Sequence, residues 1–260
     1  MTSLLNSILA HPLTKALDLD DPRTTELRLE IIRTKPFLRK IYDEWYRMIQ
    51  SRIPAGDGEV LELGSGAGYL HRFVPEVIRS EVFPCATVEL VADACLLPIA
   101  TRSLRSIVMT DVFHHIPDVS AFLREAARCL RPGGRIIMVE PWVTSWSKLV
   151  FGRFHHEPFV PDADRWEIPL KGPLSGANGA LPWIVLIRDQ GRFNAEFPNL
   201  RVEEIRPMMP FKYLVSGGVS LRNLMPGMTY SAWEWLERAL EPWNHRLAMF
   251  AFIDLIRLEE

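Results

Sequence analysis

A short apolar run, residues 60–63, ends in Gly64-Ser65-Gly66-Ala67-Gly68, and this junction restricts the possible folds more than any other part of the chain. Glycines at the end of a strand let the backbone approach a ligand closely and aim amides at it. The spacing is GxGxG, whereas a dinucleotide fingerprint needs GxGxxG, and Tyr69 stands where the third glycine of that fingerprint would be. A pyrophosphate is therefore a disfavoured guest. Further short, two-sided strands are expected at 77–81, 87–91 and 106–110, and a helix from about Tyr69. Asp118 caps a helix carrying Val119, Phe122, Leu123, Ala126, Ala127 and Leu130 on one face; Pro132-Gly133-Gly134 stops it, and a strand follows at 135–140. This alternation over 59–140 specifies an α/β fold, a doubly wound Rossmann-like sheet that binds ligands at the carboxyl ends of its strands.

The 260 residues are 48% hydrophobic and 24% charged, which excludes disordered and collagen-like chains. Thirty Lys and Arg against 32 Asp and Glu leave a net charge of -2, so no nucleic-acid partner is expected. Cys85, Cys95 and Cys129 form no CxxC pair, which argues against a disulfide framework and a compact zinc site. No metal is expected. No run reaches the ~18 apolar residues of a membrane span, and the first residues lack a basic region and cleavage site. A cytoplasmic protein is expected.

Residues 24–53 read as two helices broken at Pro36, because apolar residues from Leu27 to Ile49 recur at spacings of three and four. The basic residues of this segment read as a solvated face or, alternatively, an anion-facing lid. The alternation lapses over 141–199, a stretch dense in Trp, Phe, Pro and Gly of the kind that forms lids and binding insertions. Late strands are expected at 200–206 and 248–258, with a helix at 231–240 between them. A single domain follows: a helical cover (1–57), a cofactor-binding core (58–140), a substrate-binding insertion (141–199) between strands 5 and 6, and a C-terminal part (200–260) that completes the sheet.

The run Val60 to Leu70, VLELGSGAGYL, resembles the first motif of class I S-adenosylmethionine-dependent methyltransferases. Asp93-Ala94 with Leu97-Pro98-Ile99, then Asp111-Val112-Phe113-His114-His115-Ile116, then Ala127 to Gly134 resemble the further motifs of the type 11 subgroup. The resemblance implies a seven-stranded sheet with a reversed last strand, and S-adenosyl-L-methionine as cofactor. It also implies roles: Glu62 orients the methionine end, Gly64, Ser65, Gly66 and Gly68 pass close to the cofactor, and Glu81 holds the ribose hydroxyls. Asp93 and Ala94 address the adenine, while Asp111 and His114 line the methionine side. The usual helix between the second and third strands has almost no room here.

Methyl transfer from a sulfonium is an in-line displacement, so a base is needed only where the acceptor must lose a proton. His155 and His156, beside Glu157 in the insertion, are the candidate bases, with Glu140 or Glu157 orienting the imidazole. Trp142, Trp146, Phe151, Phe154, Phe159 and Trp166 form either an acceptor pocket or the insertion's own core. Tyr42, Trp45 and Tyr46 either close over the site or pack on the sheet. The expected activity is methylation of a small-molecule or glycan-type acceptor, with oxygen the favoured atom. The rivals are a non-catalytic methyltransferase-like module and a nicotinamide-dependent oxidoreductase. Met225, Trp233, Trp235 and Trp243 offer either core packing or a homodimer patch.

Overall fold

The computed structural model describes residues 22–259 except 67, 155, 156, 170, 171 and 173–175. Helix α1 (Pro22–Thr34) and helix α2 (Pro36–Gln50) meet at Lys35, as the proline requires. Seven strands follow: β1 (Glu59–Leu63), β2 (Val77–Glu81), β3 (Leu90–Val91), β4 (Leu104–Thr110), β5 (Leu130–Pro141), β6 (Leu200–Met208) and β7 (Phe250–Arg257). They form one sheet in the order β3-β2-β1-β4-β5-β7-β6. Pairs from β3 to β5 are parallel, and β7 lies antiparallel between β5 and β6. The expected reversal of the last strand is present.

Strand parity sorts the core into two layers. Leu61, Leu63, Ile107, Met109, Ile136 and Met138 face one side, where helix α3 (Val119–Cys129) packs with Phe122, Leu123 and Ala126. Asp118 caps α3 by accepting from the Ala121 amide at 2.9 Å. Val60, Val77, Val108, Ile137 and Val139 face the other side, beneath α2 and helix α4 (Ser145–Phe154). Beyond α4 the insertion continues through a short helical turn at Leu181–Trp183, a π turn at Ile184–Arg188 and helix α5 (Gln190–Glu196). The insertion is stitched to the turn after β4 by Asn178 N–H donating to His114 C=O and Ile168 N–H to Pro117 C=O, both 2.9 Å. After β6 come helix α6 (Lys212–Ser216) and helix α7 (Tyr230–Ala239).

Two expectations need correction. The helix expected from Tyr69 is a single 3-10 turn, Leu70–Arg72, because Pro75 and the start of β2 leave no length for more. The third strand is only Leu90–Val91, since a turn at 86–87, with Val88 N–H donating to Cys85 C=O at 3.4 Å, takes up the start of the expected strand. Two crossovers are thus cut short on one face, and α2 covers the sheet there. Its Trp45 is fully buried, stacked on Tyr213 at 5.7 Å and tilted against Phe250 at 5.2 Å. Lys35 is buried and donates to the carbonyls of Gly218 and Leu221, tying the cover to the segment after α6. Met225 and Trp233 pack on this core, whereas Trp235 (72%) and Trp243 (53%) are exposed. Among the described residues, no helix is long and apolar enough to cross a membrane. Replacing Trp45 by Ala should cost about 3–5 kcal/mol of stability, read as a lowered urea midpoint with an unchanged slope.

Candidate functional site

The carboxyl ends of β1, β2 and β4 open into a cavity of about 350 Å³, within the range of small-molecule sites. Its floor is Glu62, Gly64, Ser65 and Gly68 from the end of β1; Glu81, Asp93, Ala94, Thr110 and Asp111 flank them. The cover contributes Thr25, Arg28, Tyr42 and Tyr46, and the insertion contributes Phe151, Glu157 and Phe159. Tyr213 and Phe250 close the far wall.

The glycine loop is shaped by what presses on it. Gly64 has φ +64°, and a Cβ there would overlap the Val112 side chain; one on Gly66 would overlap the Glu81 carboxylate and Thr25. Glu81 Oε1 accepts from the Gly66 amide at 2.9 Å and its Oε2 from the Val82 amide at 3.2 Å. Burial raises the Glu81 pKa against these two hydrogen bonds. Glu62 is 3% exposed, and among the described residues its Oε2 has no hydrogen-bond partner. Burial, with Glu81 and Glu89 adding to it against Arg79, pushes its carboxyl up to about 8. A buried carboxylate left unpaired beside a cavity suits a cationic donor from a guest. Arg28 is the one Lys or Arg among the described lining residues. The other basic side chains of the cover at Arg33, Arg39, Lys40, Arg47 and Arg52 are exposed. Asp93 is exposed, and its Oδ1 already accepts from the Cys95 amide at 2.8 Å.

Asp111 sits at φ +63°, a conformation that Asp tolerates better than most residues. Burial pushes its carboxyl up to about 6, with Glu140 and Glu157 adding to the effect against His114. His114, expected to line the cofactor side, instead lies behind the cavity wall at 1% exposure, and His115 faces the cavity. The reason is Glu140, which is fully buried: Oε1 accepts from the Val112 and Phe113 amides at 2.8 Å, and Oε2 meets His114 Nδ1 at 2.7 Å. Glu140 is thus engaged by His114 and two amides. Burial opposes the charged form of His114, yet the hydrogen bonds to Glu140 and Glu157 carry its pKa well above the usual range. His115 is pushed down to about 4 by burial and then by the charge of His114.

His155 and His156 lie outside the described residues, as does Ala67. Of the insertion's aromatics, Phe151 and Phe159 line the cavity, while Trp142 and Trp166 are buried core. Trp146 donates its Nε1–H to Pro210 C=O at 3.0 Å. Of the cover's three aromatics, Tyr42 and Tyr46 line the cavity and Trp45 packs on the sheet. Thr25, Tyr213 and Phe250 were not singled out, because they lie far from the motifs in sequence and carry no spacing signal. Arg28 stood only among the cover's basic residues, with nothing to separate it from its neighbours.

The strand order and the glycine loop at its carboxyl edge define the class I methyltransferase fold. Residues 61–138 match the family model described as a methyltransferase domain, of the type 11 kind. The chain is 28% identical over 155 residues to the ubiquinone/menaquinone biosynthesis C-methyltransferase UbiE of Desulfotalea psychrophila, covering 52% of this chain and 60% of that protein. It is 39% identical over 71 residues to an uncharacterized 37.1 kDa protein in a transposon of Streptomyces fradiae, covering 27% and 19%. These alignments thus span less than two thirds of either relative. Among solved structures, a chain of the complex between the Haloferax volcanii Trm112 methyltransferase activator and the putative methyltransferase aligns with a TM-score of 0.55 at 14% identity. That alignment covers 94% of this chain and 99% of that one.

The elevated pKa of Glu62 has a consequence for stability. The folded state holds this proton more tightly than the unfolded chain, so the stability it contributes is complete below pH 4.5 and is lost as pH rises through about 8. The melting temperature should therefore fall as pH rises from 4.5 to about 8 and level off above that, and Glu62→Gln should flatten that fall. An identical pH profile in the variant would refute the assignment.

Proposed function

We propose that this chain is an S-adenosylmethionine-dependent methyltransferase acting on a small-molecule or glycan-type oxygen acceptor. The observation that carries the reading is the buried Oε2 of Glu62 at the mouth of the glycine loop, without a partner among the described residues. There it suits the α-ammonium of the methionine moiety, and Arg28, across the cavity, suits its carboxylate. Glu81 takes the ribose hydroxyls, and Asp93 with the Ala94 amide takes the adenine. Gly64, Ser65, Gly66 and Gly68 let the backbone close on the guest, and Asp111 borders the methionine side. When bound, S-adenosylmethionine supplies a sulfonium methyl that an acceptor oxygen takes in line, losing its proton and leaving a thioether.

The protein's part is to hold the acceptor, exclude water and receive that proton. Phe151, Phe159, Tyr213 and Phe250 give the acceptor an apolar berth. His155 and His156 directly precede Glu157, which lines the cavity, and each is proposed as the proton acceptor. Glu157 rather than Glu140 is the orienter, since Glu140 is fully engaged by His114 and two amides.

Calorimetric titration with S-adenosylhomocysteine should give one site, weakened about tenfold or more by Glu62→Gln, Arg28→Ala or Glu81→Ala, the scale of a lost charge-assisted hydrogen bond. Absence of binding to the unaltered protein would sink the reading. With an acceptor in hand, His155→Ala and His156→Gln should separate the two histidines, one variant losing about 10²-fold or more in turnover. Undiminished turnover in both would remove the base.

A further inference from the structure

The turn after β4 and the insertion bring together two imidazoles, to which the methyl-transfer reading gives no role, and the Glu157 carboxylate. His114 Nε2 lies 3.5 Å from Glu157 Oε2, and His115 Nε2 lies 3.9 Å from Glu157 Oε1. One ligand atom from each of the three residues lies within 4.8 Å of the others. Adjacent histidines diverge on most backbones. Here the 3-10 turn Phe113–His115 sets the two imidazoles with centroids 4.2 Å apart.

The second observation is what holds the far side of each ring. His115 Nδ1 lies 2.9 Å from Gly176 C=O, which can only accept, so Nδ1 carries the hydrogen and Nε2 presents its lone pair. His114 Nδ1 is bound to the Glu140 carboxylate, so its Nε2 is the outward atom. A carboxylate behind one histidine and a carbonyl behind the other is the outer-shell arrangement that orients imidazoles toward a metal. Ligands about 2.1 Å from a tetrahedral ion stand about 3.4 Å apart, against 3.5 and 3.9 Å for the two histidine–carboxylate pairs here.

We propose that His114, His115 and Glu157 bind one divalent first-row transition cation. Two histidines and a carboxylate leave a coordination position for a guest. Because His115 and Glu157 line the cavity beside Asp111, that position faces the acceptor's berth. Resting on the methyltransferase reading, the acceptor then carries a hydroxyl next to a second oxygen, a pair that can chelate the ion. The ion orients that hydroxyl and makes it more acidic.

The test uses the untagged full chain, stripped with a chelator and titrated with Co²⁺ alone, without cofactor or acceptor. The expected result is one saturable equivalent with visible d–d bands and no thiolate charge-transfer band. His115→Ala and Glu157→Gln, each shown to melt cooperatively, should weaken uptake about tenfold or more. Failure to saturate, a thiolate band from Cys85, Cys95 or Cys129, or uptake indifferent to both substitutions would overturn the proposal. A separate S-adenosylhomocysteine titration keeps the two readings apart: cobalt uptake without nucleoside binding sinks only the methyltransferase assignment, and the reverse sinks only the metal site.

Discussion

A carboxylate with no exposure at the end of β5 governs the geometry of the site's far half. Burying Glu140 is tolerable only because three donors meet it: two consecutive amides and an imidazole. The parallel register that pairs Thr110 with Val139 places Glu140 beside the turn after β4. Satisfying the carboxylate therefore fixes that turn. Asp111 is held in its left-handed conformation just before it, His115 is delivered to the cavity just after it, and the insertion docks through the His114 carbonyl. Losing the carboxylate would leave three donors to find new partners, so its influence reaches well beyond its own contacts.

The glycine-loop half of the cavity was legible as structure because the information there is local. A glycine loop, an acidic residue at a strand end and a capped helix each carry their own spacing, and alternation of two layers follows from strand parity. The motif after β4 was legible as a motif but not in its geometry. Which of two adjacent histidines faces the cavity depends on Glu140, 26 residues away from His114. Glu157 likewise comes within 4 Å of both imidazoles only through the folding of the insertion. The helix misplaced at Tyr69 failed for a different reason: a glycine loop at a strand end suggested it, while the distance from Gly68 to β2 left room for one turn.

That shortening shifts work onto the cover. In a doubly wound sheet the crossover helices normally bury both faces. Here the β1–β2 crossover supplies only Tyr69, Leu70, Phe73 and Val74 around one short turn, and α2 covers Val60, Val77 and Val108 beside them. The helices before the glycine loop are therefore core elements as well as the roof that brings Thr25 and Arg28 to the cavity.

The packing of Trp45 against Phe250 has a temporal side. The two rings are separated by roughly 200 residues of chain, a long-range contact of the kind that slows folding. Synthesis runs from α2 to β7, which carries Phe250, so the first ring emerges well before the second. The apolar stripe of α2 must stay uncommitted while the residues between the two rings are made, so β7 both completes the sheet and lets the cover settle.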